Sequence, residues 1–326
     1  MQRPIRTRLT DLFGIRLPIL AGGLQWLADA RYVAAAVNAG IMGFITAASF
    51  PDTPSLRDEI RRCRDLTGGK PFGVNVSMLP KLVQGERTDA VFDAIIDEGV
   101  PFVETSGRNP EPYIPRLHAA GIKVIHKVPA VRFAGKAQAV GVDAVAVVGA
   151  ECGGHPGLDL VGSIVQAKLA ADRLTIPLAI GGGIGTGAHL VAALALGADG
   201  VLVGTRFLVA EEIWAHPDYK RRLVEADETE TALILSSIRN TMRVLDNETV
   251  ERVREIEASG GATLETLMPH IAGRVGRAAY QTGDVSTGAL SVGQAVAFAD
   301  RIEPLAAIVA RFEAEAREAM GRVAAL

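Results

Sequence analysis

The stretch LAIGGGIGTGAHLVAALALGADGVLVGTRF, residues 178–207, decides the fold. It opens on a short apolar run, Leu178 to Ile180, breaks at three glycines, and resumes with helical period from Gly187 to Leu196. LGADG at 196–200 supplies a glycine where a helix C-cap wants one. A second apolar run, Gly200 to Val203, then ends in Gly204. Neither run alternates apolar with polar residues, so both read as strands buried on both faces, as in a parallel sheet.

Working outward, the same unit repeats. Further apolar runs are Leu17 to Ala21, Ile41 to Thr46, Phe72 to Val76, Phe102 to Glu104, Lys123 to His126 and Ala144 to Val147. Helical stretches such as Ala30 to Asn38, Ser55 to Asp65, Val91 to Glu98, Pro112 to Ala120 and Ala130 to Val140 lie between them. Eight strand–helix units in about 210 residues suit a (β/α)8 TIM barrel. A doubly wound open sheet would show a topological break, and the near-equal units show none. Gly183 to Ala188 formally matches the Rossmann pattern G-x-G-x-x-A, but it comes late in the series and lacks the acidic residue expected after a second strand.

After Phe207 the pattern changes. Residues 211–282 are more charged, with ADETETA and DNETVERVREIEASGG, and read as several helices with little strand signal. The expected organisation is a barrel from 1–210 plus 283–326, with 211–282 inserted as a mostly helical cap. Gln294 to Met320 reads as a final helix packing back on the barrel.

Composition bounds the function. The 326 residues are 48% hydrophobic and 22% charged, with a net charge of -3; no basic run points to nucleic acid. The N-terminal MQRPIRTRLTDLFG has no apolar signal core. The most apolar stretch, Leu190 to Ala198, is about half a membrane span. A cytoplasmic location without membrane contact is expected. Cys63 and Cys152 are too few for a disulfide framework or a zinc cluster, so no metal is expected. Barrels of this size commonly pair, so a homodimer is a reasonable expectation.

In a barrel the strand C-termini and following loops carry the chemistry. Gly22-Gly23-Leu24-Gln25-Trp26, Asn75 and Ser77, Glu104 to Gly107, His126-Lys127, Gly149 to Gly157, Gly181-Gly182-Gly183 and Gly204-Thr205 fall there. The glycine turns after the seventh and eighth strands are expected to lead into helices and aim free N–H groups at one anion. Lys127 can neutralise a phosphate or stabilise charge building on a ring. Asn75 offers a donor and an acceptor to a heterocycle edge. His155, among bare glycines, can be a base or an acid near pH 7, or a structural loop residue. Cys152 reads as a packing thiol. Glu104 reads as a base or as a ligand of its own loop's amides. His126 reads as structural.

Taken in order, GGLQW (22–26), PFGVNVSMLP (71–80), ETSG (104–107), IHKVPAVRFA (125–134), ECGGHPG (151–157), GGGIGTG (181–187), LVGTRFL (202–208), SSIRNTMRV (236–244) and GDVSTGALSVGQ (283–294) resemble the nitronate monooxygenase (2-nitropropane dioxygenase) family over nearly the whole chain. The resemblance implies an FMN-dependent barrel. It places the phosphate on Gly182, Gly183, Gly204 and Thr205, with Gly22, Gly23, Asn75 and Lys127 around the isoalloxazine ring. Leu24, Ala150, Gly153, Gly154 and Gly181 would complete the cofactor-binding set. The implied activity is oxidation of alkyl nitronates with O2, His155 handling the proton. The GGLQW, VSMLP, ETSG and IHK segments look closer to the family's NAD(P)H:quinone reductase branch, with NAD(P)H as co-substrate. For that branch Arg239, Arg243, Arg274 and Arg277 could meet a pyrophosphate. Reduction of enoyl substrates, or a flavin-free phosphate-binding barrel, are further alternatives.

Overall fold

The structure is a computed structural model and describes residues 5–78 and 87–326. Leu79 and Pro80, the end of the PFGVNVSMLP motif, lie outside the described residues.

Eight parallel strands close into a barrel in sequence order: β1 (Ile19–Ala21), β2 (Met42–Thr46), β3 (Gly73–Met78), β4 (Phe102–Gly107), β5 (Lys123–Val128), β6 (Ala144–Val148), β7 (Leu178–Gly181) and β8 (Gly200–Val203). Closure runs through Leu20 of β1 opposite Leu202 of β8. A short helix, α1 (Arg8–Phe13), precedes β1. The outer layer holds α2 (Ala30–Asn38), α3 (Thr53–Thr67), α4 (Thr88–Asp97), α5 (Ile114–Ala119), α6 (Val131–Ala139), α7 (Ser163–Arg173) and α8 (Gly187–Ala195). The helices expected from periodicity are present, and α7 adds to them.

The barrel interior follows from residue size. Ala144, Ala146 and Ala179 leave room that Phe44 and Phe102 fill, with Leu20, Met42, Ile125, Val148 and Leu202 between them. α1 plugs the N-terminal end: Leu9 and Phe13 enter this interior, and the Phe13 ring lies 4.9 Å from that of Phe102 in an edge arrangement. Alternation along a strand then places Glu104, two residues beyond Phe102, inside as well.

After β8 the chain forms α9 (Pro217–Glu225), an antiparallel hairpin of β9 (Thr231–Ile234) and β10 (Met242–Leu245), and α10 (Glu248–Ala258), α11 (Leu264–Ile271) and α12 (Gly273–Thr282). The hairpin corrects the expectation of little strand here. TALI and MRVL are only four residues each and show no clear apolar–polar alternation, in a charged setting that hides them. Residues of the hairpin, α10 and α11 share a separate core with Ile234, Val244, Val253 and Leu267, while Tyr219 of α9 packs in the main core.

The last helix is also corrected. Gln294–Phe298 is a five-residue 3-10 turn, and α13 runs Leu305–Ala324. Pro304 is the residue before α13; proline in a helix interior removes a hydrogen bond and clashes with the preceding turn, so one continuous helix from Gln294 is excluded. Among the described residues no helix is long and apolar enough to cross a membrane.

Candidate active site at the barrel mouth

The C-terminal ends of the strands bring most of the predicted residues together. Gly22 N–H donates to the Val203 carbonyl at 2.9 Å, joining the ends of β1 and β8. Gly23 lies against Asn75: a Cβ there would sit 2.7 Å from the asparagine side chain. Leu24 reaches to within 3.7 Å of where Gly204 would carry a Cβ.

Below the rim is a buried polar layer set by strand register. Asn75 pairs with Glu104 across β3 and β4, and Ser106 with Lys127 across β4 and β5. Asn75 Nδ2 donates to Glu104 Oε2, and Lys127 Nζ donates to the same oxygen at 3.3 Å. Glu104 is completely buried, and its Oε1 has no partner among the described residues. Glu104 is therefore neither a substrate-facing base nor a ligand of loop amides. It anchors Lys127 and Asn75 from beneath.

His126 projects to the other side of β5, where its Nδ1 lies 2.8 Å from Thr105 Oγ1. Burial lowers its pKa to about 4, so it is neutral and structural.

The sixth loop is braced at almost every residue. Gly149 N–H donates to Gly181 O, and Ala150 N–H to Val161 O. The Glu151 carboxylate accepts from Ser163 N and Oγ at 3.1 Å and caps the start of α7. Gly153 abuts the backbone of Val292 and Gly293, where a Cβ would come within 2.7 Å of Gly293 N. Gly154, at φ +83°, exchanges two backbone hydrogen bonds with Arg243 of β10, of 2.9 and 2.6 Å. Cys152 sits in the field of Lys127 and Arg243, but burial dominates and pushes its thiol up to about 12; it is no nucleophile near pH 7.

His155 emerges from this frame. Its side chain is open to solvent and makes no hydrogen bond among the described residues. The packed walls around it still desolvate the ring and lower its pKa.

Gly182 and Gly183 adopt φ of +92° and +72°, a region that favours glycine. Gly182 backs onto Gly149 and Cys152, and Gly183 onto Glu151, so the seventh turn nests in the sixth loop. The N–H groups of Gly182, Gly183, Gly204 and Thr205 find no acceptor in the turn and loop hydrogen bonds of the described residues. The helix expected after the eighth strand is corrected. Gly204 opens only a three-residue 3-10 turn, Thr205–Phe207, whereas the seventh turn leads, as expected, into α8 at Gly187. Thr205 Oγ1 accepts from Gly293 N–H at 2.9 Å, a partner that the local sequence of either segment does not suggest.

The arginines read as one cationic group are dispersed in role. Arg277 stacks on the Trp26 ring at 5.1 Å. Arg243 is nearly buried, its Nε donating to Ala150 O and its Nη1 to Thr231 Oγ1, both at 3.0 Å.

Comparison with known proteins agrees with this geometry. The family description "nitronate monooxygenase" matches residues 6–315. The chain is 37% identical over 210 residues to (3aS,4S,5R,7aS)-5-hydroxy-7a-methyl-1-oxo-octahydro-1H-indene-4-carboxyl-CoA dehydrogenase of Rhodococcus jostii; that match spans 64% of this chain and 56% of the relative, little more than half its length. Among solved structures, FabK from Thermotoga maritima superposes with a TM-score of 0.89 at 32% identity, covering 98% of this chain and 99% of that one. Nitroalkane oxidase from Streptomyces ansochromogenes superposes at 0.83 and 28% identity, over 97% and 100%. The chain is an oxidoreductase and belongs to the nitronate monooxygenase family.

Proposed function

We propose that the chain is an FMN-dependent oxidoreductase that oxidises alkyl nitronates with O2, with His155 as its proton-handling residue. One observation carries this reading: a solvent-open imidazole, without a hydrogen-bond partner among the described residues and kept below its ordinary pKa by desolvation, stands at the barrel mouth. Such a ring is neutral at pH 7 and can accept a proton.

The residues at the mouth fit FMN. Unengaged N–H groups at Gly182, Gly183, Gly204 and Thr205 suit a phosphate. Gly22, Gly23, Asn75 and Lys127 offer bare backbone, an amide and a cation to a flavin ring. Leu24, Ala150, Gly153, Gly154 and Gly181 form the remaining wall. When bound, FMN supplies the electron acceptor for the substrate and the route for electrons to O2.

The chain's own residues do the rest. With a neutral nitroalkane, Nε2 or Nδ1 of His155 takes the proton from the carbon bearing the nitro group, and the electron pair of that C–H bond moves onto the nitro oxygens. Lys127, held by Glu104, offers positive charge to the anion so formed. The nitroalkane oxidase similarity supports this substrate class.

The test is His155→Ala, purified with FMN and assayed under air. Loss of a general base is expected to lower turnover of neutral nitroalkane by about 10²- to 10³-fold, with a smaller loss on preformed nitronate. Unchanged nitroalkane turnover removes His155 as the base. Anaerobic mixing with NADH separates the reductase alternative: rapid bleaching of the flavin moves the assignment to NAD(P)H:quinone reduction, and a persistent oxidised spectrum supports nitronate oxidation.

A further inference from the structure

The turn after the eighth strand is too short to hold its own shape. It consists of Gly204 and the 3-10 turn Thr205–Phe207, with Phe207 N–H donating to Gly204 O at 2.9 Å and Leu208 N–H to Thr205 O at 3.0 Å. Hydrogen bonds of the 3-10 kind are poorly aligned, so the direction of the Gly204 and Thr205 N–H groups has to be fixed from outside. One segment does this, returning to the barrel from beyond the cap. It takes hold of two consecutive residues. Gly293 N–H donates to Thr205 Oγ1 at 2.9 Å, and further along Glu303 Oε1 accepts from Arg206 Nη2 at 3.2 Å.

Arg206 is the unusual member of this contact. Its side chain is only 3% exposed, and its charge is met by Glu303 and, at 3.5 Å, by Asp300, both on the return segment. Arg311 of α13 shares the two carboxylates. The Glu303 backbone is fixed independently: its carbonyl accepts from Glu211 N–H at 3.0 Å, and it forms a bridge with Ala210. The carboxylate therefore reaches Arg206 from an anchored point. Stability alone does not explain the arrangement. Arg206 Nη1 is sealed in without a partner among the described residues, and a buried ion pair left incompletely satisfied is a poor source of stability. What it does supply is a fixed geometry at the residue that follows Thr205.

We infer that Arg206, gripped by Glu303, is a positioning residue: it sets the Gly204–Thr205 turn so that the unengaged N–H groups there meet the phosphate of the cofactor. Arg206 acts through the turn, with its Nη2 committed to Glu303. Backbone donors that bind an anion need a supporting layer to hold their direction. The inference rests on the proposed FMN reading, and it adds to that reading why a segment distant in sequence is part of the cofactor site.

The experiment reads flavin binding without turnover. The full-length protein is loaded with FMN or with riboflavin, which lacks the phosphate, and flavin release on dilution is followed by the return of its fluorescence. Wild type is expected to hold FMN at least about tenfold more tightly than riboflavin, because the phosphate adds charge-assisted hydrogen bonds. Glu303→Gln is expected to lower FMN affinity about tenfold and leave riboflavin binding unchanged, and Glu303→Asp to keep part of the preference. Arg8→Ala, at the opposite end of the barrel, is expected to change neither. An unaltered FMN preference in Glu303→Gln overturns the inference. So does an equal loss for both flavins, because that is the mark of a general brace. Should Glu303→Gln not fold, Asp300→Asn, at a carboxylate that is partly exposed, decides by the same ratio with a smaller shift. Wild type that holds both flavins equally overturns the inference and leaves flavin binding standing, whereas wild type that binds neither overturns the FMN reading with it. Absence of nitronate turnover beside the expected FMN preference removes only the proposed reaction.

Discussion

The two ends of the barrel treat charge in opposite ways. At the N-terminal end, Arg8 and Asp143 each meet an opposite charge. Arg8 grips Asp199 with Nε and Nη2 at 2.7 and 2.6 Å and reaches Thr175 O with Nη1. Asp143 takes His118 and Lys123 at 2.9 Å each, and the Val124 N–H besides. At the mouth, among the described residues, Glu104 keeps one oxygen without a partner, Arg243 donates only to neutral acceptors, and His155 makes no hydrogen bond. Conserving free energy in one end and leaving polar capacity open in the other is how a barrel separates stability from chemistry.

Three changes press on this contrast. The largest effect is expected at Lys127→Met, which strands the fully buried Glu104 carboxylate. Breaking a buried pair from one side costs about 3–5 kcal/mol, measurable by urea denaturation. A loss below about 1 kcal/mol would mean the mouth pair is no stronger than a surface one.

Next is pH. His126 is buried, and its folded pKa of about 4 lies below the ordinary 6.5. The unfolded chain therefore binds the proton first. Stability is full above about pH 6.5 and falls as pH drops toward 4, by up to about 3 kcal/mol. A thermal-melt series over that window should slope downward toward acid and flatten in His126→Phe. Parallel slopes would remove His126 as the source.

Smallest is Arg8→Ala. Its half-exposed guanidinium should yield about 1 kcal/mol and leave kcat unchanged. Altered turnover would show that the lower end is coupled to the mouth after all.

The barrel was legible because its strands are short apolar runs buried on both faces, and because glycine marks the helix-to-strand joints at 121, 141 and 197. The β9–β10 hairpin was not, since four residues per strand in a charged stretch carry too little period. The overrun of the final helix came from good helix formers on both sides of Pro304. At the mouth, the glycine turns and His155 announce themselves locally. The Asn75–Glu104–Lys127 layer does not: it exists only once neighbouring strands fix their register. Arg243 was visible as a cation, but its bonds to Ala150 O and Thr231 Oγ1 are a property of the assembled fold alone.

The return segment has a consequence for how the protein is made. Gly293 touches Thr205 through its N–H and packs on Gly153, while Gln294 N–H donates to Glu151 O. All eight strands leave the ribosome well before residues 293 and 294 do. A chain that folds while it is made can thus close its barrel before the rim is complete.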